Sequence, residues 1–251
     1  MRRDRGFALI AALWVIVALT SVVGLGVATT RLGQRTSLNR IALTRGRWAA
    51  EACLAITQRR WLQHRLSDTA SIDLGRGTRC NWNVWDPGTR ININLADRET
   101  LTRLIGDSIL ADSLVKARRI TPFISAEQLP SRWRSVLTVE GRASVNLNAA
   151  PERVLSALPG MSAEAVDHLV QRRRVGRAIS SLDELTSLLS PAARAALFAR
   201  YPDLARIAVF TPTELVITAT GWVEGQGPRS RIELVAVPLP ERLAIIRRRL
   251  W

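Results

Sequence analysis

The chain has 251 residues, 47% of them hydrophobic, enough for an anchor segment and one or two domains with a buried core. Its 36 basic residues outnumber 21 acidic ones, for a net charge of +15, and every basic residue but Lys116 is arginine. Such a charge suits nucleic acid, anionic lipid or an acidic protein surface, whereas two cysteines without a CxxC pair exclude zinc-ribbon and thioredoxin chemistry.

The charge is concentrated near the N-terminus: residues 1–65 hold 11 basic and 2 acidic residues, residues 66–251 hold 25 and 19. Between Phe7 and Thr30 nothing is charged, and Phe7 to Val27 is almost wholly Ala, Val, Leu, Ile and Gly. At about 1.5 Å per residue, about 20 such residues cross a hydrocarbon core about 30 Å thick, which predicts a retained membrane span. A cleaved secretory signal or a buried core helix are the other readings, but a signal's apolar region is usually only about 7–15 residues long. Met1-Arg2-Arg3-Asp4-Arg5-Gly6 precedes the run, a charged hexapeptide ending in Gly and followed by Phe7. A cut after Gly6 would discard this leader and keep the helix. Flanking charges do not set the orientation, because Arg31, Arg35, Arg40, Arg45 and Arg47 follow the span.

The leader resembles the prepilin-peptidase signal of type IV pilins and type II secretion pseudopilins. That resemblance implies cleavage between Gly6 and Phe7 and N-methylation of Phe7. The fifth mature position, usually Glu in pilins, is Ala11. A carboxylate inside a membrane is costly unless paired, and in pilins it answers the terminal amine of a neighbouring subunit. A subunit at a filament tip has no neighbour above to receive it, and its absence is a mark of the K-type minor pseudopilins.

Beyond the span, Leu38, Ile41, Ala42, Trp48, Ala49, Ala52 and Ile56 recur at helical spacing, and no Pro interrupts Met1 to Trp61. This predicts one spine helix of about 55 to 60 residues rather than an anchor and a separate helix. Its face bearing Ile41, Trp48 and Ala52 is the expected helix-contact face. Arg79 to Trp85 alternates as a strand closed by the turn Asp86-Pro87-Gly88, with Ile91 and Ile93 as a short continuation. Glu214 to Val223 and Ser230 to Val237 predict a hairpin. Cys53 on the spine and Cys80 on the first strand could pair in an oxidising compartment, although spacing does not fix their distance.

The long stretch between the strand regions repeats at 54 residues. Asn92-Ile93-Asn94-Leu95-Ala96, then Leu101, Leu104 and Gly106, match Asn146-Leu147-Asn148-Ala149-Ala150, Leu155, Leu158 and Gly160. Arg118-Arg119 fall on Arg172-Arg173 and, two residues shifted, Glu127-Gln128-Leu129 on Asp183-Glu184-Leu185. The asparagines fit caps and turns. The expected fold class is α+β: a pilin-like long N-terminal helix on a small antiparallel sheet, with an inserted all-α domain of two repeats. The divisions are a leader 1–6, a transmembrane segment 7–30, a periplasmic spine 31–66, the first part of the sheet 67–90, the insert 91–205 with repeats near 91–133 and 145–189, closing strands 206–240, and a basic C-terminal tail 241–251.

Leu158-Pro159-Gly160-Met161-Ser162 with Ala165, Leu169 and Arg172 resembles a helix-hairpin-helix of the SAM-like kind, a unit that binds DNA phosphates through backbone N–H groups at a Gly-rich turn. Gly160, Arg172, Arg173 and Arg174 are the candidate DNA contacts, with Arg177 adding to the charge, and a membrane-anchored DNA-uptake protein is the alternative function. Against it, Ser162 replaces the usual second Gly, Asp107 puts an acid at the first turn, and a charge run is commonly a solvated helix face. Nearly the whole chain instead resembles general secretion pathway protein K, the minor pseudopilin of type II secretion. The resemblance implies a single-pass inner-membrane protein with a periplasmic head. Its implied partners are I- and J-type minor pseudopilins, the H-type and major pseudopilins and prepilin peptidase, without nucleic acid. Its implied role is at a pseudopilus tip that primes assembly and assists export of folded proteins.

No enzyme activity is expected. His64 and His168 are the only histidines, and HExxH, GxSxG and phosphate-loop patterns are missing. Gly24-Leu25-Gly26 lies inside the apolar run and reads as membrane-helix packing. No cofactor is expected beyond calcium, which the resemblance admits; Asp97, Glu99, Asp107 and Asp112 could hold it, but they match no calcium loop and serve equally as caps or surface charges.

Overall fold

The computed structural model describes residues 4–225 and 227–250, with side chains from Ala12 onward. The leader residues Met1 to Arg3 lie outside the described residues, as do the side chains of Phe7 and Ala11.

Helix α1 (Asp4–Leu62) is unbroken over 59 residues. Within its apolar half, Thr20 and Thr30 donate to carbonyls one turn back, so their hydroxyls need no water. The stretch from Ala12 is long and apolar enough to cross a membrane, and the head covers none of its most apolar window. The helix stops at Leu62, short of residue 66, because His64 adopts a left-handed φ of +52°.

Strands β1 (Thr69–Asp73) and β2 (Thr78–Trp85) form a hairpin whose turn holds Gly75 and Gly77 at positive φ. Cys80 therefore lies on the second strand after the spine, a correction to the expectation of the first. β1 has little sequence signal, since Ile72 is its only large apolar residue.

The insert follows. It contains β3 (Ile91–Asn92), α2 (Arg98–Ile105), α3 (Ser108–Ile120) and β4 (Leu137–Thr138), then β5 (Val145–Asn146), α4 (Glu152–Ala157), α5 (Ala163–Arg174), α6 (Leu182–Ser187), α7 (Pro191–Ala199), α8 (Tyr201–Ile207) and β6 (Ala208–Val209). Two short parallel pairs, β3 with β4 and β5 with β6, tie the ends of each helical unit together. Ile91 thus pairs within the insert and does not continue the sheet. One apolar core runs through both units, including Leu101, Leu137, Leu147, Leu155, Leu185 and Leu197.

The chain returns through β7 (Leu215–Val223), β8 (Ser230–Leu239) and β9 (Arg242–Leu250), completing an antiparallel sheet in the order β1-β2-β7-β8-β9. The expected basic tail 241–251 is thus corrected to an edge strand over Arg242–Leu250. Its arginines read as a charge run because two of the acids that answer them, Glu51 and Glu140, are distant in sequence, while the third, Glu233, comes opposite only through the β8–β9 hairpin.

Alternation on β2 puts Cys80, Trp82 and Val84 inward and Asn81 and Asn83 outward. The inward set joins Ala49, Ala50, Cys53, Ile217, Ala219, Ile232 and Leu234 in a second core under α1. The helix enters over Thr78, Gly221 and Ser230 and ends near Leu239, whose carbonyl accepts from Trp61 Nε1 at 3.1 Å. The insert leaves after Trp85, which pairs with Val216. It therefore sits at the end of the sheet away from the apolar half of the spine.

Candidate assembly surface

The spine divides into faces. Ala42, Ala49, Ala50, Cys53 and Thr57 are buried against the sheet. Small side chains let the helix approach closely: a Cβ on Gly46 would lie 2.9 Å from the Gly221 carbonyl oxygen, and one on Gly221 would strike Gly46 and Ala49. Cys53 and Cys80 are joined as a disulfide, with their Cα atoms 6.1 Å apart. Arg248 of β9 pairs with Glu51, and Arg45 donates to the Arg76 carbonyl at 2.9 Å. The C-terminal half of the helix is thereby fixed to the head at several points.

Roughly a third of a turn from that buried face stand Ile41, 54% exposed, and Trp48, 71% exposed, with Ala52 half-buried beside them. Leu38 continues the patch toward the apolar half. An exposed Trp in line with a membrane-competent segment fits contact with another helix.

In the insert, each unit hangs on an asparagine. Asn94 accepts from Phe123 N–H and donates to its carbonyl, and Asn148 does the same with Ile179 and also reaches the Phe210 carbonyl. Asn92 and Asn146 each accept from the N–H two residues on. Arg118 donates to the Ile93 carbonyl, whereas Arg173 donates to the equivalent Leu147 carbonyl and to Ala150. Arg118 thus corresponds to Arg173, not to Arg172, because the Pro159-Gly160-Met161 turn inserts one residue before the cap Ser162.

The candidate DNA contacts do not form an open phosphate cradle. Gly160 has φ +71°, and a Cβ there would lie 3.2 Å from Leu197 and Arg200, so α7 and the residue after it cover the turn. Arg172 pairs with Glu184 and Arg173 is turned onto backbone carbonyls, leaving Arg174 free of both ties. Ser162, where a second glycine is usual, instead caps α5 by accepting from the Ala165 N–H.

The four acids considered for calcium have other work. Asp97 caps α2 through Thr100, Asp107 caps α3 through Ile109 and Leu110, Asp112 pairs with Arg98, and Glu99 pairs with Arg200. Burial raises the Asp97 carboxyl, but the Thr100 N–H and hydroxyl more than offset this and hold it below the usual range. The Arg200 hydrogen bond holds Glu99 low. Among the described residues no group of three His, Cys, Asp or Glu side chains is placed to hold a metal ion.

The insert is fastened to the sheet. Asn146 donates to Asp86, whose carboxyl is pushed up by burial against the opposing Asn146 and Gly88 hydrogen bonds. Arg142 pairs with Glu214 at 3.1 Å, and Arg247 and Arg249 converge on Glu140. Sequence reading missed this joint and the Gly46–Gly221 crossing. The small residues Ala42, Gly46, Ala49 and Cys53 at helical spacing were the available signal for the crossing.

No family model matches the chain, and no curated protein matches it. Among solved structures, it is similar to a chain in the crystal structure of the GspK-GspI-GspJ complex from the type 2 secretion system of enterotoxigenic Escherichia coli. The match covers 88% of this chain and 99% of that one, at 12% identity and a TM-score of 0.57. The likeness is one of fold: a long helix on an antiparallel sheet, interrupted by a helical insert.

Proposed function

We propose that the chain is a K-type minor pseudopilin of a type II secretion system, seated at the tip of the pseudopilus. The carrying observation is the position of the insert, at the end of the sheet away from the apolar half of the spine. There it would obstruct a subunit stacked above, while the Ile41 and Trp48 face remains open to helices beside and below. The fold match over nearly the whole chain supports this reading. The span 7–30 anchors the chain in the inner membrane with its head in the periplasm, an oxidising compartment that suits the Cys53–Cys80 bond. I- and J-type minor pseudopilins are the direct partners, and the chain acts by contact, priming assembly and helping to move folded proteins outward. Loss of a carboxylate at Ala11 fits a subunit with none above it.

Expression with prepilin peptidase tests the reading. Phe7 becomes the methylated N-terminus; an intact Met1, or a cut beyond Thr30, contradicts it.

A further inference from the structure

The neck of the spine, between its apolar half and the head, is bare. From Arg31 to Ile41 every residue is exposed, and the head first covers the helix at Ala42. This stretch is about 16 Å of helix. It carries Arg31, Arg35 and Arg40 and nothing acidic: the sequence has no Asp or Glu between Asp4 and Glu51, and Glu51 is taken by Arg248. Arg45, higher up, is placed differently, since it is tied to the Arg76 carbonyl and the Thr78 hydroxyl.

Depth decides what these cations meet. Arg31 and Arg35 follow Thr30, the last residue of the uncharged run, by about 2 and 8 Å along the axis, and a headgroup layer is roughly 5–8 Å thick on each side of the hydrocarbon. Both therefore fall among lipid phosphates, at a depth where a protein carboxylate would have to leave water to reach them. Spaced by four residues, they share one face of the helix, close enough for two guanidinium forks to grip one phosphate. Arg40 stands on the opposite side about 15 Å out, and Arg47 lies more than a Debye length of about 8–10 Å beyond the headgroups.

We propose, resting on the reading of 7–30 as a membrane span, that Arg31 and Arg35 bind the phosphate of an anionic phospholipid and so fix the depth of the spine in the bilayer.

The test places the full chain in phosphatidylcholine vesicles carrying a trace of spin-labelled phosphatidylglycerol or spin-labelled phosphatidylcholine, and reads by electron paramagnetic resonance the share of each label held at the protein. The phosphatidylglycerol label is held preferentially, and about 0.5 M salt shrinks the preference. Arg31→Gln/Arg35→Gln lowers it about threefold, while Arg47→Gln leaves it unchanged; the leader arginines contribute equally to all variants. Glutamine keeps the helix, and an unchanged melting temperature shows that the head is intact. Equal preference in the parent and the double variant overturns the proposal, and if that variant also loses co-purification with the minor pseudopilins, the two arginines belong to an acidic protein surface. Alkaline extraction of the same vesicles separates the two readings: a chain that stays in yet shows no lipid preference refutes the phosphate site alone, whereas a chain that washes out refutes the span as well.

Discussion

Gly46 and Gly221 face each other where the spine crosses β7, and neither position has room for a Cβ. The contact sets the distance between helix and sheet, and with it the alignment of Cys53 over Cys80. Gly221→Ala should destabilise the head by about 1–3 kcal/mol through overpacking. Gly33→Ala, in open space on the same helix, should be neutral or slightly stabilising by up to about 1 kcal/mol. Thermal unfolding of the two variants separates a specific crossing from a general intolerance of change.

The Cys53–Cys80 bond closes a sequence separation of 27. Loop-closure entropy for such a ring corresponds to about 3.5 kcal/mol. Reduction, or the Cys53→Ser/Cys80→Ser double variant, should lower denaturant stability by an amount of that order. An unchanged midpoint would mean that the apolar core alone fixes the helix.

Much of the fold was legible because its signals are local. The long apolar and amphipathic periodicity gave the spine, alternation gave β2, β7 and β8, and a tandem of asparagines gave the duplication. What was hidden depends on distant partners. β9 looks like a charged tail until Glu51, Glu140 and Glu233 come beside it. The offset slip that makes Arg118 equivalent to Arg173 shows only once both guanidiniums are seen on the same carbonyls. The Gly160 turn resembles a phosphate site in sequence, and only its burial beneath α7 removes that use.

Asn148 joins three segments through Ile179 and Phe210, whereas Asn94 joins two through Phe123. Asn148→Ala should cost about 1–3 kcal/mol by stranding these backbone groups, and more than Asn94→Ala. Hydrogen exchange should report the loss at the Ile179 amide first.

Glu99, Asp112, Glu164 and Glu184 are held low by their hydrogen bonds to Arg200, Arg98, Ser190 and Ser180. A carboxyl depressed in the folded state stabilises fully above its unfolded value, 3.8 for Asp and 4.5 for Glu, and that contribution is lost as pH falls through the folded value. Asp86, pushed up by burial, acts oppositely: its contribution is present at low pH and lost as pH rises through its raised value. With five depressed carboxyls, Asp97 included, against one raised, the melting temperature should fall as pH drops below about 4.5. Glu99→Gln should flatten that fall, and a profile unchanged by the substitution would remove Glu99 from the account.

The most direct measurement is co-purification of the full chain with I- and J-type minor pseudopilins from detergent-solubilised membranes. The account predicts a stable ternary complex that Trp48→Ala weakens without changing the melting temperature of the head. Absence of the complex, with tight and steeply salt-dependent binding of duplex DNA in its place, would contradict it.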